Sequence, residues 1–417
     1  MNLRTWLIPL AGFSLLSVGQ AYSVLTHEAI VDAAWKDNIQ PLLLKRFPKA
    51  TEEELRQAHA YTYGGAIVQD IGYYPFGNKL VSDLTHYVRS GDFILNLLDG
   101  AEDLNQYAFA LGSLAHYAAD NSGHRVAVNR AVPLTYPKLR KLFGNLVTYA
   151  DDSASHIKVE FGFDVAQVAQ GQYAPDSYHQ FIGFEVNEPA LERAFAKTYA
   201  IELSRLIKNK SLAFGTYRYS VSSVIPTMTK AAWSLKKDEI VKASPGATKR
   251  KFVFNISRSA YRRDWGSEYQ RPGFKARFFA FIFRLIPKVG PLKAFAFHPP
   301  SAQTERMFMQ SVNDTLDQYR RLLADHARGT LKLPNENFDT GEPTKPGAYR
   351  LADTAYATLL DMLKGKPITP ELRANILAFY SDLNAPFATK KDEKAWGQLL
   401  KELDELKAQS SIAGATE

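Results

Sequence analysis

No cysteine occurs among the 417 residues, which excludes a disulfide framework, a thiol nucleophile, cysteine-ligated zinc and an iron–sulfur cluster. Any metal held by this chain must take its ligands from nitrogen and oxygen, that is, from His and carboxylates. After the first 21 residues no apolar run is long enough to span a membrane. The most apolar later stretch, Phe278 to Phe283, is closed at both ends by Arg277 and Arg284. Strand signals are scarce, with Phe252 to Ile256 the best short candidate, and no internal repeat is found. A hydrophobic fraction of 46% excludes a wholly disordered chain and suffices for a sizeable core.

Residues 1–21 read as a secretory signal peptide. Arg4 supplies the positive start, Trp6 to Val18 is an almost uncharged apolar run, and Gly19, Gln20 and Ala21 place small residues around the cleavage point. The run falls short of the roughly 20 residues of a span and contains Pro9 and Gly12. The expectation is an exported protein, periplasmic or extracellular, cleaved after Ala21 so that Tyr22 carries a free α-amino group.

The rest reads as all-α. Residues 22–240 form a helical domain, in which Thr51 and Glu54 look like a capping box opening a helix that runs to about Ile71. Further helical spacing covers 79–98, 103–121, 137–150 and 153–169. Residues 241–300 are a basic, aromatic-rich insertion. The formal charge of +8 is local: 231–300 hold 15 Lys and Arg against 4 Asp and Glu, a net +11, which leaves the remainder slightly acidic. A helix over 301–330, a polar Pro/Gly-rich linker over 331–348 and a small helical extension over 349–417 complete the chain.

The chemistry concentrates early. Six of the nine His lie between positions 27 and 156. His116, Asp120 and His124 follow Tyr107 to Ala115, a segment apolar nearly all round and hence buried. A carboxylate buried between imidazoles is costly unless it is paired or binds metal. On a continuous helix His116 and His124 stand about 12 Å apart, too far to share one ion, so the spacing suggests more than one metal. His156 and Glu160 fall on one helical face, the usual geometry for two ligands of one ion. His27, Asp70 and His86 complete the set, taken singly no more than core residues.

In order, His27, Asp70, His86, His116, Asp120, His124, His156 and Glu160 resemble the ligand series of the zinc-dependent phospholipase C family. The related single-strand-specific zinc nucleases end the same series in Asp. The resemblance covers roughly residues 22–240. It implies a multi-helix bundle with three zinc ions: Asp70, His86, His116 and Asp120 on one, the Tyr22 amine and carbonyl with His27 and the shared Asp120 on its neighbour, and His124, His156 and Glu160 on the third. It also implies a metal-activated water that Asp70 orients or deprotonates. Tyr22 stands where that family usually has Trp, Asp120 and His124 are closer together than in its better-known members, and Asp83 is a second carboxylate near the place of Asp70.

The expected function is an exported zinc-dependent phosphodiesterase acting on phospholipid headgroups. The alternatives are a nuclease or nucleotidase on the same site, with nucleic acid as substrate only, or a non-enzymatic zinc-binding membrane-associated protein. The mixture of basic and bulky apolar residues over 271–297 suggests peripheral contact with an anionic membrane.

Overall fold

The structure, a computed structural model, describes residues 24–170, 184–224 and 298–408, with short pieces between 233 and 278. The expected signal peptide, Tyr22, the strand candidate Phe252 to Ile256 and most of the insertion lie outside the described residues. What is described is an all-α bundle. No helix among the described residues is long and apolar enough to cross a membrane.

Two crossed helices form its centre. Helix α3 (Glu52–Ile67) opens on the expected capping box, with the Thr51 side chain accepting from Glu54 N–H and the Glu54 carboxylate accepting from Thr51 N–H at 2.7 Å. Helix α6 (Leu104–Ser122) is capped by Asp103 and buried continuously from Gln106 to Ser122. The two touch backbone to backbone. A Cβ on Gly112 would lie 2.0 Å from the Thr62 carbonyl oxygen, and one on Gly65 1.9 Å from that of Phe109, so only glycine permits this approach.

Around them pack α1 (Val24–Ala34), α2 (Gln40–Arg46) and α5 (Ser90–Asp99). Helix α4 (Lys79–Tyr87) lies against the 3₁₀ turn Val68–Tyr73 that continues α3. Beyond α6 follow a π-helical turn (Gly123–Val128), α7 (Asn129–Thr135), α8 (Pro137–Phe143) and α9 (Ser153–Gln170). Then come α10 (Glu188–Tyr199), α11 (Leu203–Leu206) and α12 (Lys210–Tyr219). Helix α13 (Ala302–Ala327) buries Thr304, Phe308, Ser311, Thr315, Tyr319 and Leu323, spaced three or four apart, and Tyr319 donates to the Leu111 carbonyl of α6 at 2.8 Å.

The structure corrects three sequence readings. Residues 79–98 are not one helix: Val88 is extended and Arg89 left-handed at φ 50°. Buried Arg89 offsets that strain by donating to the Thr198 carbonyl at 2.9 Å and to Asp92 at 2.7 Å. The helix expected over 137–150 stops at Phe143, because Gly144 takes φ +87°. Segment 331–348, expected as a linker, is a strap laid into the bundle. It holds the antiparallel pair β1 (Glu336–Asn337) and β2 (Glu342–Pro343), buries Asn337, Phe338 and Asp339, and donates Phe338 N–H to the His86 carbonyl at 3.1 Å. Its Pro and Gly serve turns that are paired and packed. The extension that follows is α14 (Arg350–Met362), α15 (Pro370–Phe379) and α16 (Glu393–Ala408), with α14 against α4.

Candidate metal centre

Six segments converge on one buried polar cluster. Helix α1 supplies His27, the 3₁₀ turn Asp70, α4 His86, α6 His116 and Asp120, the π-turn His124, and α9 His156 and Glu160, none more than 3% exposed. The π-turn is wider than an α-turn, so His124 leaves the stripe of His116 and Asp120 and turns toward α9.

Three groups of side chains stand close enough to hold an ion: His27 with His116 and Asp120, Asp70 with His86 and His116, and His124 with His156 and Glu160. Asp120 joins the first two. Its Oδ1 lies 3.5 Å from His27 Nε2, while Oδ2 lies 3.3 Å from His86 Nε2 and 3.2 Å from His116 Nε2. Asp70 Oδ1 lies 3.4 Å from His86 Nε2. Asp83, the other carboxylate in reach by sequence, pairs with Lys79 instead.

The backbone sets the tautomers. A carbonyl can only accept, so Nδ1 of His86, 2.8 Å from the Ser82 oxygen, and Nδ1 of His116, 2.8 Å from the Ala66 oxygen, each carry the proton. The two Nε2 atoms then aim their lone pairs at one another across 3.3 Å. That arrangement requires a cation or a proton between them. Zinc bonds of roughly 2.1 Å in tetrahedral array put ligand atoms about 3.4 Å apart, the spacing seen throughout this half of the cluster. The oxygens of Asp70 and Asp120 are buried and accept no well-formed hydrogen bond among the described residues. The donor set therefore fits zinc.

The third group has a different surround. His156 Nδ1 is 2.8 Å from Glu160 Oε1, and its Nε2 is 2.8 Å from Asn129 Oδ1. His124 Nε2 faces Asp339 Oδ1 at 3.3 Å, leaving the buried Nδ1 with no hydrogen-bond partner among the described residues. The other oxygen of Asp339 accepts from Tyr87 at 2.8 Å and from Tyr349, and its backbone carbonyl accepts from Asn129 at 2.6 Å. Asp339 and Asn129 were not found from sequence: Asp339 sits in what reads as a linker and Asn129 in no motif. A Phe-Asp between Asn337 and Thr340 is the trace the strap leaves in the sequence.

The electrostatics follow from burial and crowding. Burial, reinforced by His116, lowers His27 to about 3, and burial lowers His124 to about 3 and His156 well below the ordinary range. Burial also lowers His86, but Asp120 and Asp70 outweigh it and raise the imidazole to about 10. Burial pushes the Asp70 and Glu160 carboxyls up. Burial pushes Asp120 up too, yet His116, His86 and His27 hold it well below the usual carboxylate range. In the metal-free chain this is one proton-rich corner beside three neutral imidazoles, His27, His124 and His156, ready to exchange protons for metal.

His59, the remaining early histidine, pairs with Asp32 at 3.0 Å and stacks on Trp35, apart from these groups. Phe338 of the strap packs edge-on to His86 at 5.4 Å, and Tyr149 edge-on to His156 at 6.0 Å.

No curated protein and no solved structure matches the chain. The family model described as zinc dependent phospholipase C matches residues 26–209, which include all eight converging His, Asp and Glu residues but not Asp339.

Proposed function

We propose that the chain is an exported hydrolase of phosphodiesters, in first place of phospholipids, working with three zinc ions. The observation that carries this is Asp120, whose two oxygens face histidines of two different groups while His86 and His116 aim lone pairs beside them. A structural zinc site is closed by four ligands of its own, whereas a carboxylate shared between neighbouring ions suits hydrolytic pairs.

In this reading Asp70, His86, His116 and Asp120 hold one ion, and His27, Asp120 and the amine and carbonyl of Tyr22 hold the second. His124, His156 and Glu160 hold the third. Bound zinc supplies positive charge for the phosphate oxygens and lowers the pKa of water from 15.7 toward about 7. The carbonyls of Ala66 and Ser82 keep the Nε2 atoms of His116 and His86 pointed at the centre. Asp70, 3.4 Å from His86 Nε2, is the carboxylate placed to orient the attacking water or take up its proton. Phe338, Tyr73 and Tyr149 wall the cluster from bulk solvent.

Export rests on residues 1–21, and the role of Tyr22 makes cleavage after Ala21 part of the activity. An N-terminal extension on Tyr22 is expected to remove activity, and full activity in such a protein would take Tyr22 out of the site. Contact of 271–297 with an anionic membrane is supported by Phe274 and Phe278, exposed beside exposed Lys275 and Arg277.

The deciding experiment offers the mature protein phosphatidylcholine and single-stranded nucleic acid side by side. Phosphocholine release is expected. Nucleotide release alone would make the chain a nuclease, and bound zinc with neither product a zinc-binding protein without turnover.

A further inference from the structure

The turn around α8 faces outward with side chains that a chain meeting only water would keep inside. Leu142, Phe143 and Leu146 are 73, 45 and 55% exposed, Leu134 37%, and α8 buries none of its residues. Four large apolar groups on one short excursion form a patch rather than scattered singles. The same stretch is basic: from 130 to 150 it carries Arg130, Lys138, Arg140 and Lys141 and no Asp or Glu, while Arg125 before it pairs with Glu342 and Asp151 and Asp152 follow it. A crevice of about 430 Å³ opens behind the apolar tips, between Arg130, Arg140, Leu134, Leu146 and Met307.

We propose that this turn docks the protein on the surface of an anionic phospholipid bilayer, with Leu142, Phe143 and Leu146 entering the headgroup–acyl boundary and Arg130, Lys138, Arg140 and Lys141 facing lipid phosphates. A run of cations around apolar tips is the pattern for an interface that is acidic outside and apolar beneath. A folded protein partner would ordinarily be matched by charges of both signs. The location adds a reason. Asn129, the first residue of α7, touches His156 of the metal centre at 2.8 Å, and seven helical residues, about 10 Å, carry the chain from there to the exposed turn. The chain then returns, Val147 donating its N–H to the Asn129 carbonyl at 2.9 Å, so the turn both leaves and rejoins the bundle beside the candidate centre. The proposal deepens the phospholipid reading but does not need turnover to be measured, and it is separate from residues 271–297.

The test uses the mature full-length protein and vesicles of phosphatidylcholine with and without phosphatidylglycerol. The wild type is expected to co-sediment with the anionic vesicles and to be released by salt. In Leu142→Asp/Phe143→Asp, partition should fall about tenfold or more, while hydrolysis of a soluble phosphodiester stays within about twofold. Unchanged partition overturns the proposal, as does a variant that shifts sedimentation from dimer to monomer without altering vesicle binding, which would assign the turn to a second copy. Leu142→Trp reads the same contact without disturbing charge: its added emission should shift to the blue on anionic vesicles, and an unshifted spectrum would also overturn the proposal. If the wild type docks through this turn but hydrolyses no phosphodiester, the docking stands and the hydrolase reading falls. If it hydrolyses phosphodiesters but docks independently of the turn, the docking proposal falls and the hydrolase reading stands.

Discussion

Asp339 Oδ1 lies 3.3 Å from His124 Nε2, although one residue comes from the strap near the C-terminal extension and the other from the π-turn after α6. Because Tyr87 and Tyr349 hold the other carboxylate oxygen, Asp339 is a fixed acceptor that orients His124 so that Nδ1 points inward. Asp339→Asn should weaken zinc at the third position by about 10–100-fold, the usual effect of losing a carboxylate behind a ligating His. Tyr349→Phe should do less. Metal titration of the folded variants reads this, and an unchanged third affinity would make Asp339 a packing residue only.

Asp120 and Glu160 should differ in kind. Asp120→Asn touches a carboxylate that faces two groups, so it should abolish turnover and lower the metal content by more than one ion. Glu160→Gln touches only the group with His124 and His156 and should remove one. Zinc per chain in the two variants checks this, and equal losses would contradict it.

Acid and base should act on the metal-free chain in opposite ways. His27 and His124 stay neutral in the fold down to about 3, whereas unfolded each binds a proton near 6.5. Unfolding thus takes up protons between those values, and stability falls as the pH drops through that window. His86 is raised to about 10 by Asp120 and Asp70 against its burial. Its contribution is fully present below 6.5 and is lost as the pH rises through about 10. Denaturant unfolding of chelated protein should therefore show greatest stability near pH 6.5. With zinc bound the alkaline fall should vanish, since ligation has already removed that proton.

Gly112→Ala probes the crossing that aligns α3 with α6. Its Cβ would meet the Thr62 carbonyl at 2.0 Å, so the helices must part, at a cost of about 1–3 kcal/mol. Asp70 follows from the end of α3 while His116 and Asp120 ride on α6, so zinc affinity should fall as well. Ser113→Ala, which removes only a 3.1 Å hydrogen bond to the Gly65 carbonyl, should cost about 1 kcal/mol and leave zinc in place. Calorimetry with and without zinc separates the two.

His116 with Asp120 and His156 with Glu160 were legible because each pair stands one turn apart on one helix, whereas His27, Asp70, His86 and His124 entered only through the resemblance of the ordered series. The Thr51 cap and the long helix α13 were legible for the same local reasons. What stayed hidden depends on partners distant in sequence. Arg89 breaks a helix with neither Gly nor Pro beside it, because the Thr198 carbonyl offsets the left-handed turn. Asp339 can be buried only because Tyr87, Tyr349 and Asn129 meet it, and a Pro/Gly-rich polar stretch gives no local sign of such company.

A zinc-dependent hydrolase is tested most directly by zinc per chain in mature protein beginning at Tyr22, taken together with phosphocholine release before chelation, after it and after zinc is restored. Three zinc ions are expected, with activity lost when they are removed and recovered when they return. Fewer than two ions per chain, or release that survives complete chelation, would contradict it.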